Sequence, residues 1–202
     1  MSVSNPILVD LPLPILTPRL LIRDPRPGDG AELFAARKES DAELRPWMPF
    51  ARGAAPTLEE CEANVREAHA HFILRQDLRL VILDRSTGTL IASSGLHRFD
   101  FGRGIFEIGY WARSTMTGRG YVTEAVNAIT RYAFEVLNAR RVTIQCNPEN
   151  RRSRAVAERL GFPLEARLAN ADQHADESIA NRDHLVFARC DPDGLPPLDV
   201  RW

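Results

Sequence analysis

Glu107-Ile108-Gly109-Tyr110-Trp111, followed by Gly118-Arg119-Gly120 and then Tyr121-Val122-Thr123-Glu124-Ala125, is the stretch on which the reading of this 202-residue chain turns. It reads as a strand, a glycine turn and the start of a helix. Glycines at 118 and 120 allow positive φ and a close backbone approach. The helix they open presents unpaired N–H groups and the positive end of its dipole, so this order of elements makes a cradle for an anion such as phosphate. A lone Gly-x-Gly is also an ordinary turn, and its neighbours must decide between the two.

Downstream, Val122, Ala125, Val126, Ile129, Ala133, Val136 and Leu137 form one apolar stripe, which predicts a helix from Gly120 to about Asn138. Arg141 to Cys146 is a short apolar strand of the kind that fills a sheet centre. Asn147-Pro148-Glu149-Asn150 breaks it before a helix from Arg151 to Leu160, which Gly161 ends. Pro163 to Leu168 and His184 to Cys190 read as a final strand pair around a polar loop.

Upstream, Leu16 to Arg23 reads as one strand, and Asp29 is placed to cap a helix to about Glu39. Thr57-Leu58-Glu59-Glu60 is a capping box, with Leu58, Cys61, Val65, Ala68 and Phe72 following at helical spacing. Leu78 to Leu83 and Thr89 to Phe99 form a hairpin, and Gly104 to Ala112 is the next strand. The order predicts an α/β fold with a mixed central sheet of about six to seven strands flanked by about four helices. One domain is expected, with its core over about 16–190 and proline-rich segments at 1–15 and 191–202.

With 44% hydrophobic and 26% charged residues the chain is expected to be globular, and its formal net charge of −1 argues against tracking nucleic acid by bulk electrostatics. A small partner is expected. Cys61, Cys146 and Cys190 have neither disulfide-framework nor metal-ligand spacing, and His69 and His71 stand two apart on a helix, so no metal is expected. The segment Met1 to Leu16 carries three prolines, no basic start and no long apolar run. A reducing cytoplasm and no membrane span are the expectation.

Glu107 to Trp111, Gly118 to Gly120, Asn147-Pro148-Glu149-Asn150-Arg151-Arg152-Ser153 and Leu160-Gly161-Phe162 occur in that order at close spacing, and together they resemble the GNAT acyltransferase family. Thr17-Pro18-Arg19-Leu20, Pro46-Trp47-Met48-Pro49 and the run from Arg182 to Arg189 are most similar to its RimJ/RimL group, whose members acetylate N-terminal amines of ribosomal proteins. One position departs from the pattern: Thr115 stands where the glycine motif usually begins with Gln or Arg.

The resemblance implies a GNAT-type fold with a splayed strand pair and acetyl-CoA as co-substrate. The pyrophosphate would lie over the N–H groups of Thr117, Gly118, Arg119, Gly120, Tyr121 and Val122, with Arg113 and Arg119 adding charge. The pantetheine arm would enter the splay against the backbone of Trp111 and Ala112, and Asn147 and Asn150, otherwise a turn former and a helix cap, would contact it as well. A homodimer is common in that group.

Attack of a neutral amine on a thioester needs a base, an oxyanion donor and an acid for the leaving thiolate. The resemblance places Ser153 near the sulfur as that acid. Trp111 or Ala112 N–H is the candidate oxyanion donor. For the base, Glu107 and Asp172 are both candidates, and Glu107 is equally a sheet-face charge paired with an arginine such as Arg98. Cys146 lacks a positioned histidine and reads as packing, which favours direct transfer over a covalent route. The acceptor amine stays open between a protein N-terminus and a small molecule, and a non-catalytic acetyl-CoA-binding module is a further alternative.

Overall fold

The computed structural model describes residues 5–171 and 183–202. Its strands are β1 (Ile15–Leu16), β2 (Leu20–Arg23), β3 (Leu78–Asp84), β4 (Leu90–Asp100), β5 (Ile105–Ala112), β6 (Arg141–Cys146), β7 (Leu164–Leu168) and β8 (His184–Arg189). They form one eight-stranded sheet in the order β1-β2-β3-β4-β5-β6-β8-β7. Neighbours are antiparallel except β5 and β6, which run parallel. The helices are α1 (Gly30–Leu44), α2 (Leu58–Ile73), α3 (Tyr121–Glu135) and α4 (Arg151–Arg159).

Strand alternation divides the apolar side chains between two faces. Phe106 and Ile108 of β5 join the main core with Val126 and Ile129 of α3 and Ala157 of α4, all almost wholly buried. Trp111, from the same strand, packs on the opposite face with Ala36 of α1 and with Val81 and Leu90. β5 therefore has helices over both faces, and it is the strand on which the site is built.

The α2 capping box forms as the sequence predicts: Thr57 Oγ1 accepts from Glu60 N–H at 3.2 Å, and Glu60 Oε2 accepts from Thr57 N–H at 2.7 Å. The first strand departs from expectation and splits into β1 and β2. Pro18 has no N–H to give a ladder, and the Thr17 hydroxyl turns the chain by accepting from Leu20 N–H at 2.9 Å. This split takes the sheet from the seven strands read in the sequence to eight. Asp29 does not cap α1, because its carboxylate is held by Arg23 (2.8 Å to each oxygen) and by Arg26 N–H. The helix also runs past Glu39 to Leu44, which with Ser40 is buried.

Two irregularities position the site. β5 pairs with β6 only at Ile105↔Arg141, Phe106↔Val142 and Glu107↔Thr143, after which the two strands separate while each continues. β4 bulges between His97 and Asp100, with Arg98 at φ 41°. The extra residue turns Arg98 onto the face carrying Glu107, where the two form an ion pair.

Candidate active site

Gly118 (φ 75°) and Gly120 (φ 78°) both take the left-handed conformation, and Gly120 sits at the N-cap of α3. No protein acceptor meets the N–H groups of Gly118 through Thr123 among the described residues, and the first helical bond is Glu124 N–H to Gly120 O at 3.0 Å. A Cβ at Gly118 would touch nothing within 4 Å. The cradle is therefore open, and its unpaired donors suit a phosphate ester. Glu124 braces it from behind, accepting from the Thr17 hydroxyl and from Arg19 Nε, each at 2.6 Å, while Arg19 NH1 reaches Arg119 O at 3.0 Å.

Two of the expected contributors are engaged elsewhere. Thr117 N–H bonds Ser114 O at 3.2 Å, so it is not among the open donors. The Arg113 guanidinium turns to α1, with Nε 2.7 Å from Glu39 and NH1 3.4 Å from Glu32, so its charge serves that joint and not the cradle. Thr115 N–H also donates to Glu39, at 2.9 Å. Although partial desolvation works against it, hydrogen bonds from Thr115 and Arg113 bring the Glu39 carboxyl down to about 2. Thr115 thus ties the glycine loop to α1 at the position where the sequence departs from the family pattern.

Ladder parity decides which backbone groups face the splay. Arg113 N–H reaches Ile91 O across the β4–β5 ladder at 2.9 Å, in line with the register Ser93↔Trp111 and Gly95↔Gly109. Groups alternate along a strand, so Trp111 and Gly109 also direct their N–H and C=O to β4. Ile108, Tyr110 and Ala112 direct theirs to the side that β6 has left. This corrects Trp111 as a backbone donor into the splay and leaves Ala112, with Tyr110 beside it. Beyond the last paired rung, the peptide groups of Tyr110 and Ala112 along this edge suit an amide-bearing arm.

Asn150 caps α4, accepting from Ser153 N–H at 3.1 Å, and Asn147 Oδ1 accepts from Glu149 N–H at 2.8 Å in the preceding turn. Ser153 lies in the first turn of α4. Its Oγ is 3.0 Å from the Tyr110 hydroxyl, which also donates to Ser153 O at 3.0 Å. Burial pushes the Tyr110 phenol far up, so it remains a neutral donor. Tyr110 has no role assigned from the sequence, where its one signal is a polar-tipped ring alternating with Phe106 and Ile108 on one face of the strand. Burial likewise raises the Cys146 thiol, with the Ser153 hydroxyl working against the rise, which suits a packing residue better than a nucleophile.

Glu107 is 7% exposed, and it is paired with Arg98 as the alternative reading had it; Gln145 Nε2 also donates to its Oε2 at 2.9 Å. Its carboxylate bridges β4, β5 and β6 at the last paired rung before the splay. Asp172 lies outside the described residues.

On the α1 and α2 side of β5 is a cavity of ≈ 340 Å³. Its apolar wall includes Met48, Phe50, Val65 and Trp111, and its polar groups include Arg37, Arg79 and His97. Phe50, from the Pro-Trp-Met-Pro-Phe loop, meets the Trp111 ring edge-on at 5.9 Å. The cradle and the cavity approach β5 from different sides, an arrangement in which two substrates can meet at one strand.

A family model described as an acetyltransferase (GNAT) domain matches residues 19–163, most of the chain. The chain belongs to the GNAT acetyltransferase family. It is therefore an acyltransferase that draws its acetyl group from acetyl-CoA, and the open cradle and unpaired strand edge fit that co-substrate. Among curated relatives of this GNAT chain, YdaF of Bacillus subtilis (strain 168), provisionally named a ribosomal N-acetyltransferase, is 29% identical over 143 residues, covering 71% of this chain and 77% of that one. The ribosomal-protein-serine acetyltransferase of Escherichia coli (strain K12) is 36% identical over 66 residues, 33% of this chain and 37% of that one. Two solved structures share the fold. RimL, a ribosomal L7/L12 α-N-protein acetyltransferase in complex with coenzyme A, superposes with a TM-score of 0.75 at 21% identity, covering 86% of this chain and 95% of that one. The microcin C7 self-immunity acetyltransferase MccE, in complex with acetyl-CoA and AMP, superposes with a TM-score of 0.76 at 20% identity over 86% and 93%. Among the described residues no helix is long and apolar enough to cross a membrane, and no group of three or more His, Cys, Asp or Glu is placed to hold a metal ion.

Proposed function

We propose that the chain acetylates the α-amine at the N-terminus of a protein. The observation that carries this reading is the convergence on β5 of the acetyl-CoA cradle and splay from one side and the ≈ 340 Å³ cavity from the other. Relatives named for ribosomal-protein acetylation support the acceptor class. So does the chemistry: an α-amine with pKa near 8 is easier to deprotonate than a lysine near 10.4 by roughly 3 kcal/mol at neutral pH.

Acetyl-CoA supplies an activated acyl thioester. The N–H groups of Tyr110 and Ala112 point into the splay and provide donors for oxyanion charge. Ser153 lends its hydroxyl proton to the departing sulfur, and Tyr110 holds that hydroxyl in place. Gly118, Arg119, Gly120, Tyr121 and Val122 hold the pyrophosphate through their backbone, and Asn147 and Asn150 shape the turn that brings Ser153 forward. Glu107 ties β4, β5 and β6 together at the closed end of the splay.

The test is to incubate the protein with acetyl-CoA and a panel of N-terminal peptides, lysine peptides and small amines, following thiol release and acetylated product by mass. Preferred turnover of free N-terminal peptides supports the reading. Turnover confined to a small amine replaces the acceptor, and acetyl-CoA binding with no acceptor-dependent release replaces the enzyme with a binding module.

A further inference from the structure

We propose that His97, oriented by Asp77, is the base that takes the proton from the acceptor amine, an inference that rests on the acetyl transfer proposed above. His97, on β4, lines the cavity together with Gly109 and Tyr110 of the neighbouring strand β5. Its Nδ1 lies 2.6 Å from Asp77 Oδ1. A carboxylate in that position holds the Nδ1–H tautomer, leaving the lone pair on Nε2, as an acid–base histidine requires. No protein partner meets Nε2 among the described residues.

The ring is seated by two glycines that pair with one another across β4 and β5, Gly95 and Gly109. A Cβ on Gly95 would stand 2.8 Å from His97 Cε1 and 2.7 Å from Leu78 O, and one on Gly109 would stand 3.1 Å from His97 Cδ2. Neither glycine needs a left-handed backbone, so what the missing side chains provide is space. The imidazole lies across bare backbone at the strand whose other edge opens into the splay. Glu107, the register partner of His97, already accepts from Arg98 and Gln145, and Arg79 is bonded to Asn64 at 2.7 Å. His97 thus offers this cavity a directed and unengaged lone pair.

In the step so assigned, the amine nitrogen forms a bond to the acyl carbon as one N–H proton passes to His97 Nε2. The C–S bond then breaks, the sulfur takes its proton from Ser153, and Ser153 regains a proton from water. With 28% of its side chain exposed, the imidazolium returns its proton to water.

The experiment compares wild type, His97→Gln, His97→Gly with and without added imidazole, and Asp77→Asn, measuring transfer to a peptide amine, acetyl-CoA binding by calorimetry, and the ring-nitrogen NMR shifts of His97. The expected result is a fall in kcat/KM of roughly 10²- to 10⁴-fold for His97→Gln with acetyl-CoA affinity retained. Imidazole, entering the space above the glycine pair, is expected to restore the His97→Gly rate at least about tenfold. Wild-type shifts are expected to report Nδ1–H, and Asp77→Asn to disturb that tautomer. An active wild type with an unchanged His97→Gln rate overturns this inference alone, as does a loss that imidazole does not rescue and that tracks weakened acetyl-CoA binding. A wild type that binds acetyl-CoA and acetylates no amine overturns the transfer reading, and this one with it.

Discussion

The Tyr110 hydroxyl joins β5 to α4, donating to Ser153 O at 3.0 Å and lying 3.0 Å from Ser153 Oγ. One phenol therefore fixes both the start of α4 and the side chain to which the proposed mechanism gives protonation of the leaving thiolate. Ser153→Ala is expected to lower kcat roughly 10²-fold while leaving acetyl-CoA affinity intact, measured by thiol release and calorimetry. Tyr110→Phe is expected to give a smaller loss, since Ser153 keeps its backbone position through Asn150. An unchanged rate in Ser153→Ala would remove it from proton transfer.

The cradle depends on left-handed backbone at Gly118. Nothing crowds a Cβ there, so Gly118→Ala acts through conformational strain alone, costing about 1–2 kcal/mol. The loop is expected to relieve that strain by turning its N–H groups away. Acetyl-CoA affinity, read by calorimetry, should then fall more than the melting temperature does.

Phe106 is fully buried, with its ring centroid 5.4 Å from that of Phe101 and 6.0 Å from that of Phe99. Phe106→Ala is expected to destabilise the protein by about 3–5 kcal/mol, the usual cost of deleting a core aromatic ring. A shifted urea midpoint with an unchanged slope is the check.

Glu39 carries the clearest pH dependence. Its folded value, about 2, lies below the ordinary 4.5, so ionised Glu39 contributes stability that is complete above pH 4.5 and lost as pH falls towards 2. Glu39→Gln is expected to flatten the urea midpoint over that window. It should also weaken acetyl-CoA binding at neutral pH, because Thr115 and Arg113 lose their shared anchor.

Much of the fold was legible because its signals are local. The α3 stripe, the Thr57–Glu60 box and the Gly118/Gly120 pair each act within a few residues. Illegible features depend on partners that the local pattern does not single out. The Asp29 carboxylate looked like a cap until Arg23 took it, and Arg113 looked like a phosphate ligand until Glu39, 74 residues away, accepted its Nε. His97 gave no motif, since its orientation depends on Asp77 and on a glycine pairing visible only in the register. The pairing of Arg98 with Glu107 was legible as an alternative, whereas the bulge that brings the two onto one face was not.

The isolated bridge between Leu16 and Arg201, with bonds of 2.7 and 2.9 Å, closes the outer margin of β1. A ribosome delivers β1 early and Arg201 late, so that margin waits through the synthesis of nearly all the intervening chain. Until then β1 offers an unpaired ladder to any passing strand. Closure of that margin is thereby among the latest of the sheet's contacts in order of synthesis.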